Sequence, residues 1–515
     1  MGASQEKRRR QDERAGGLDK FQQAQEAELT KKKRARIRNS VIAIAVALLI
    51  VVILFLNSNS FYTRLPSVTV GNRSYSIAYV NYLYYTNYHS LVQSGYAEYL
   101  GLDSSIPLKD QKYDETQSWH DYFKAGAVEN LINITAMLNG ADAEGYTLSQ
   151  EALDKIAANL DSLQINFEQA DNFSSINSYL VALYGRGMTR AKFEEILTAY
   201  TIAAEYASSK NDSFEFSDEE IEANYTEKKN DFDALRYRIF VARGTADEEN
   251  GIDEETAKAE ARERAENVAA ATSEDEFAAL CLKNADELDI AQYVDPAYSL
   301  NTRLPSATLS SIYSEWLLDP ARKEGDTTLI DNELGFYVLY FIEREDNHYY
   351  TKNVRHILIS GNLEAAEDSE LTPEEIREDV MEHIKTQSDS IYEEWKAGDA
   401  TEDSFATLAN QTSMDSGSNT NGGLYEDVSK WQMVPEFNDF IFDPARKPGD
   451  TGIVFGESSN YFGYHIMYYS GESDEYYSTT LSRTALQTDA YAAWQDAENA
   501  KYEAKTKFPL MFAGQ

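Results

Sequence analysis

This 515-residue chain has one cysteine, six histidines and far fewer basic residues than acidic ones, 47 against 87. A single thiol, Cys281, closes no intramolecular disulfide, and the sequence has no CxxC pair or Cys/His spacing of the kind that builds a zinc site. It therefore points to no metal and no cofactor. Cys281 sits in Phe277-Ala278-Ala279-Leu280-Cys281-Leu282, an apolar helical pattern in which a thiol packs as a small core residue. The formal net charge of −40 argues against nucleic acid as a partner, because such a surface repels phosphates. It favours solubility, and charge alone does not select a client.

The basic residues that are present are unevenly spread. Residues 1–39 carry 12 Lys/Arg against 6 Asp/Glu, so the remainder of the chain carries a net of −46. Arg8-Arg9-Arg10 and Lys31-Lys32-Lys33-Arg34 mark this stretch as a polar tail, disordered or loosely helical. Long apolar runs are equally scarce, and the one that stands out is residues 41–56, without charge, Gly or Pro. As a helix it spans about 24 Å. That approaches the ~30 Å of a hydrocarbon core once Ser40, Asn57 and Arg38 reach the interfaces. Residues 40–57 are thus expected to be a transmembrane anchor. Basic residues precede the run and almost none follow closely. The positive-inside pattern then makes 1–39 a cytoplasmic tail and puts the bulk of the chain outside the cell membrane. A cleaved signal peptide is the competing reading, with Ser58 and Ser60 as small residues for cleavage. The long basic stretch before the run favours the anchor.

The length suggests three or four domains, and 42% apolar residues suffice for their cores. A short strand and turn are expected at 67–72. Otherwise 58–229 reads as an all-helical domain: Leu131, Ile134 and Leu138, and again Phe193, Ile196, Leu197 and Tyr200, recur at helical spacing. Ser217 with Glu220 before Ile221 is a capping box. Tyrosine clusters such as Tyr82, Tyr84, Tyr85 and Tyr88 suit half-buried helix faces and peptide-binding surfaces alike.

An internal repeat follows. Leu317-Leu318-Asp319-Pro320-Ala321-Arg322-Lys323-Glu324-Gly325-Asp326-Thr327 recurs as Ile441-Phe442-Asp443-Pro444-Ala445-Arg446-Lys447-Pro448-Gly449-Asp450-Thr451, with eight of eleven positions identical. Each copy opens on a strand, 238–241 or 356–359, and closes on an apolar strand after a glycine, 335–341 or 463–469. The predicted fold class is therefore α+β. It comprises a transmembrane helix, the helical domain, two copies of one α+β module at 230–348 and 349–472, and a C-terminal helix within 473–515 that packs on the helical domain.

The second copy carries, in order, Val354-Arg355-His356-Ile357-Leu358-Ile359, then Phe405-Ala406-Thr407-Leu408-Ala409, Ser413-Met414-Asp415-Ser416-Gly417-Ser418, Gly422-Gly423-Leu424, Gln432-Met433 with Phe437, and Gly463-Tyr464-His465-Ile466. Over about 120 residues this resembles the parvulin family of peptidyl-prolyl isomerases. The order of domains is similar to that of PrsA- and SurA-type foldases, with a chaperone part, parvulin modules and a C-terminal helix. The resemblance implies catalytic roles for His356, Asp415 and His465, and a proline seat formed by Leu424, Met433 and Phe437. It implies no metal. The family's Gly-Gly-Asp-Leu-Gly is here Gly422-Gly423-Leu424-Tyr425, a departure at the seat. His89, His120, His348 and His383 lie outside these positions and read as structural.

The first copy reads as catalytically degenerate, with Arg238 and Tyr337 where the second has histidines and no Gly-Gly turn. The implied function is a membrane-anchored extracytoplasmic foldase acting on unfolded or newly translocated proteins with X-Pro bonds. The alternative is a non-catalytic holdase that uses parvulin folds only to bind peptides. A surface adhesion or scaffold protein is disfavoured by the lack of glycine repeats.

Overall fold

Side-chain caps set where the helices begin. Ser118, Ser149 and Thr189 each accept a hydrogen bond from a backbone N–H of the first turn, starting the helices Trp119–Glu144, Gln150–Gln169 and Arg190–Asp212. Ser217 and Glu220 form the reciprocal capping box expected of the helix Asp218–Glu227. The computed structural model describes residues 2–170, 172–246, 253–303, 309–332, 335–361, 372–458 and 461–514. The chain folds as two compact units: residues 1–214 with 490–515, and residues 215–489.

In the first unit the helix Ala3–Leu56 ends in the apolar run. Its stretch Ala24–Leu56 is long and apolar enough to cross a membrane. The large side chains of this run lie exposed, as those of a helix apolar on every side must when no protein covers it. Beyond it, Ile77–Gln93 and Trp119–Glu144 pack through Tyr84, Trp119, Phe123 and Leu131. Two buried tyrosine hydroxyls find partners here: Tyr75 meets Thr135 at 2.6 Å, and Tyr84 meets His120 at 3.1 Å. The helices are joined by a three-stranded sheet, so the unit is not all-helical. Strands β1 (Pro66–Val70) and β2 (Arg73–Ser76) turn at Gly71, whose φ of +55° suits glycine. β11 (Ala504–Thr506) pairs with β1 from the far end of the chain, Val68 opposite Thr506.

The second unit contains two antiparallel sheets of identical strand order. The first is β4-β3-β6-β5, with β3 Ala234–Ala242, β4 Leu300–Arg303, β5 Thr327–Asn332 and β6 Gly335–Glu345. The second is β8-β7-β10-β9, with β7 Tyr350–Ser360, β8 Leu424–Val428, β9 Thr451–Ser458 and β10 Tyr461–Tyr476. The helices Glu254–Ala269 and Glu274–Asn284 cover one face of the first sheet, burying Phe277 and Cys281. Burial pushes the Cys281 thiol up to about 12, which makes it an inert core residue. The helices Pro373–Ala397 and Glu402–Thr412 cover the second sheet through Phe405 against Ile357, Ile359 and Ile466.

The repeated eleven residues turn out to be a turn. Asp319 accepts from the N–H of Ala321, and Asp326 from that of Lys323. Asp443 with Ala445, and Asp450 with Lys447, repeat this at 2.9 Å each. The glycines between, Gly325 and Gly449, have φ of +87° and +93°. The identity of the two stretches is thus a backbone requirement.

The sheets also fix which residues correspond. Ile239 stands opposite Leu339 as His356 stands opposite Met467, and Tyr337 opposite Ile330 as His465 opposite Val454. Arg238 therefore corresponds to Arg355, and the position of His356 is taken in the first copy by Ile239. The ion pairs agree: Arg238 binds Glu274 at 2.9 Å and Arg355 binds Glu402 at 2.9 Å, each carboxylate at the first residue of the equivalent helix.

Candidate active site

Side chains alternate across a strand, so the face of β7 and β10 away from the two long helices carries Val354, His356, His465, Met467 and Tyr469. The helix Pro435–Phe442 lies on that face and sets Phe437 against it. The rings of His356 and His465 stack with centroids 5.3 Å apart, and their Nδ1 atoms are 3.1 Å apart. Phe437, 1% exposed, meets both imidazoles edge to face at 5.4 Å.

Asp415 comes from the loop after Glu402–Thr412. Met414 N–H donates to the Leu358 carbonyl at 2.8 Å, and Ser413 Oγ accepts from Leu358 N–H at 3.1 Å, so the loop runs along β7. Farther along, His356 N–H donates to the Gly423 carbonyl at 2.8 Å. Gly422 and Gly423 have φ of +77° and +70°, and a Cβ on Gly423 would lie 2.3 Å from the His356 carbonyl oxygen. The Gly-Gly pair is what allows the loop to approach the histidine strand.

Asp415 Oδ2 meets His356 Nε2 at 2.8 Å and accepts from Tyr425 OH at 3.0 Å and from Ser418 Oγ. Its Oδ1 accepts from Gly417 N–H at 3.1 Å. At the other end Tyr461 OH meets His465 Nε2 at 3.1 Å. The His356 contact, helped by Ser418, holds the Asp415 carboxyl well below the usual carboxylate range. Desolvation, with His356 alongside, pushes His465 down to about 3, so this ring is neutral at physiological pH. Desolvation and then the Asp415 charge push the Tyr425 phenol up to about 12, keeping its proton available for donation.

The structure brings together His356, Asp415, His465 and Phe437, with Met433 packed at the edge of the same apolar cluster. It does not bring Leu424. Leu424 pairs with Arg355 and Tyr425 with Val354, so Tyr425 carries the histidine face and Leu424 the opposite one. Sequence reasoning assigned no role to Tyr425, Tyr461 or Ser418. Tyr461 lies four residues before His465 on one strand, a spacing that puts both on one face and could have been read as such.

His465 makes the fold sensitive to acid. The unfolded chain binds a proton at this ring below pH 6.5, whereas the folded chain resists until about pH 3. Stability therefore falls as pH drops through that window, by about 2 kcal/mol between pH 6.5 and 4.5. Urea unfolding at pH 7 and pH 4.5 is expected to show a smaller loss in His465→Asn than in the native chain. Equal losses would contradict a buried neutral ring.

Residues 325–471 match the family model of the PPIC-type PPIASE domain. That match begins in the turn before β5 and ends at Gly471 in β10. No curated protein matches the chain. Among solved structures, a peptidylprolyl isomerase (PrsA) from Bacillus anthracis is 20% identical, with 30% of this chain and 59% of that one covered and a TM-score of 0.19. The foldase protein PrsA from Streptococcus pneumoniae is 14% identical over 53% of this chain and 85% of its own, at a TM-score of 0.22. One of two related SurA-like chaperones of Campylobacter jejuni is 14% identical over 55% and 83%, at 0.17. Residues 325–471 are thus similar to the PPIC-type peptidyl-prolyl isomerase domain.

Proposed function

We propose that the second module is a working prolyl isomerase within a membrane-anchored extracytoplasmic foldase. His356, Asp415 and His465 form its polar network, and Phe437 with Met433 forms its proline seat. One observation carries this reading: a continuous hydrogen-bonded chain, Tyr461–His465–His356–Asp415, lies directly beside the Phe437 ring. An X–Pro bond has isomers within about 1 kcal/mol but a barrier of ~18–20 kcal/mol. Catalysis needs no nucleophile, only a site that fits the twisted amide better than either planar form.

The chain of hydrogen bonds has a direction. Asp415 accepts, so His356 donates through Nε2. When His356 donates through Nε2 alone, its Nδ1 accepts from His465 Nδ1. His465 Nε2 is left to accept from the Tyr461 hydroxyl. Dipoles fixed in this order need no reorganisation while the proline carbonyl turns, and the apolar seat holds the ring during rotation.

The apolar run that ends the helix Ala3–Leu56 supports anchoring, and the basic residues before that run support a cytoplasmic N-terminus. The helical unit is the proposed holding surface for unfolded chains. The holdase alternative draws on the first copy, where Ile239, Tyr337 and Tyr313 take the places of His356, His465 and Phe437; Tyr313 and Tyr337 lie 6.3 Å apart. Among its described residues that copy keeps an aromatic seat without the polar chain, so it can bind but lacks the groups proposed to act on the amide.

Refolding of a client limited by proline isomerisation separates the two readings. The native chain is expected to accelerate the slow phase and suppress aggregation, and His356→Ala to keep only the second effect. Equal acceleration by both would remove the histidine from the mechanism. Aggregation suppression without acceleration by the native chain would favour the holdase.

A further inference from the structure

The seat of the second module hangs on a short loop, Ser429–Val434, between β8 and the helix Pro435–Phe442. At its centre Trp431 has φ of +66°, a left-handed conformation that a bulky residue keeps only where its surroundings hold it. One restraint is internal: Trp431 N–H donates to Asn438 Oδ1 at 2.9 Å, and Asn438 is buried. The others come from outside the module. Arg236 of β3 lays its guanidinium over the Trp431 ring, 4.0 Å from the centroid, and is itself anchored by Glu343 at 3.0 Å. Glu345, the last residue of β6, forms an ion pair with Lys430. Tyr349, in the link between the copies, accepts from Lys430 N–H at 3.1 Å. Two consecutive residues of the loop are thus gripped by the degenerate copy and its linker, two positions before Met433.

We infer that the degenerate first copy is a positioning domain for the second copy's proline seat, acting through Arg236 on Trp431 and Glu345 on Lys430. Arg236 and Glu345 touch neither the polar chain nor Phe437. They fix the backbone that presents Met433 and leads into the helix of Phe437. This accounts for a copy without the two site histidines being joined to the active one by a link as short as residues 346–349. The inference rests on the isomerase reading above.

The test uses the full chain and cis–trans exchange of an X-Pro tetrapeptide. Arg236→Ala is expected to lower kcat/KM about fivefold, the scale of one partly desolvated cation–π contact, with the change mainly in KM because the polar chain is untouched. Arg236→Lys keeps a cation over the ring and is expected to restore most of the loss. Trp431→Ala should lose as much as Arg236→Ala, and the double variant no more than either. Full activity in Arg236→Ala, or additive losses, would overturn the inference. So would a loss that Arg236→Lys does not restore and that tracks a lower melting temperature. An inactive native chain would instead overturn the isomerase reading beneath it.

Discussion

Phe437→Ala is expected to cost the second module about 3–5 kcal/mol of stability, the range for emptying a phenylalanine site in a packed core. It is also expected to cut turnover efficiency about ten- to a hundredfold. The ring is 1% exposed and touches both imidazoles, so it packs as core and is the proposed floor of the seat. Losing 1.5–3 kcal/mol of apolar contact that persists in the transition state gives that rate factor. Phe437→Leu separates the roles: it keeps most of the volume, so the fold should survive while the flat contact with the histidines is lost. Circular dichroism would check the fold and peptide exchange the rate. A folded Phe437→Leu with native activity would show that the seat lies elsewhere.

Asp415→Ala is expected to lower kcat/KM about ten- to a hundredfold, the equivalent of one charge-assisted hydrogen bond. The carboxylate is the shared acceptor for His356, Ser418, Tyr425 and Gly417. Without it nothing obliges His356 to donate through Nε2, and the order of donors along the chain is lost. Asp415→Asn should rescue little, because its amide keeps one oxygen and turns a donor toward the other hydroxyls. Full activity in Asp415→Asn would mean that the charge and its multiple acceptance are irrelevant to the rate.

Much of this site was legible because strands and glycine turns leave strong local marks. His356, His465 and Asp415, chosen from sequence, meet within hydrogen-bond distance. The two slips are both of one residue, and both have the same cause. A strand has a period of two, so reading Leu424 for Tyr425, or Arg238 for Ile239, moves the side chain to the other face of the sheet. Only strand register resolves such an error, and register is a long-range property. The strand and turn at 67–72 were legible, but the pairing of β1 with β11 was not, since Val68 pairs with Thr506 across nearly the whole chain. Arg236 on Trp431 is likewise a contact between modules, and no periodicity in either segment announces it. The repeated Asp-Pro-Ala-Arg-Lys, in contrast, was conspicuous in sequence, and its aspartates serve the turn before β5 and β9.

Turning X–Pro bonds is the activity proposed for the second module. The most direct measurement is the exchange rate between cis and trans forms of an X-Pro tetrapeptide by magnetisation transfer, with the full chain at catalytic concentration. Uncatalysed exchange takes tens of seconds or more. The native chain is expected to shorten it in proportion to its concentration, with Asp415→Ala and Phe437→Ala far less effective. Exchange that stays at the uncatalysed rate with the folded native chain, at any concentration, would contradict the claim and leave the parvulin fold here as a peptide-binding frame.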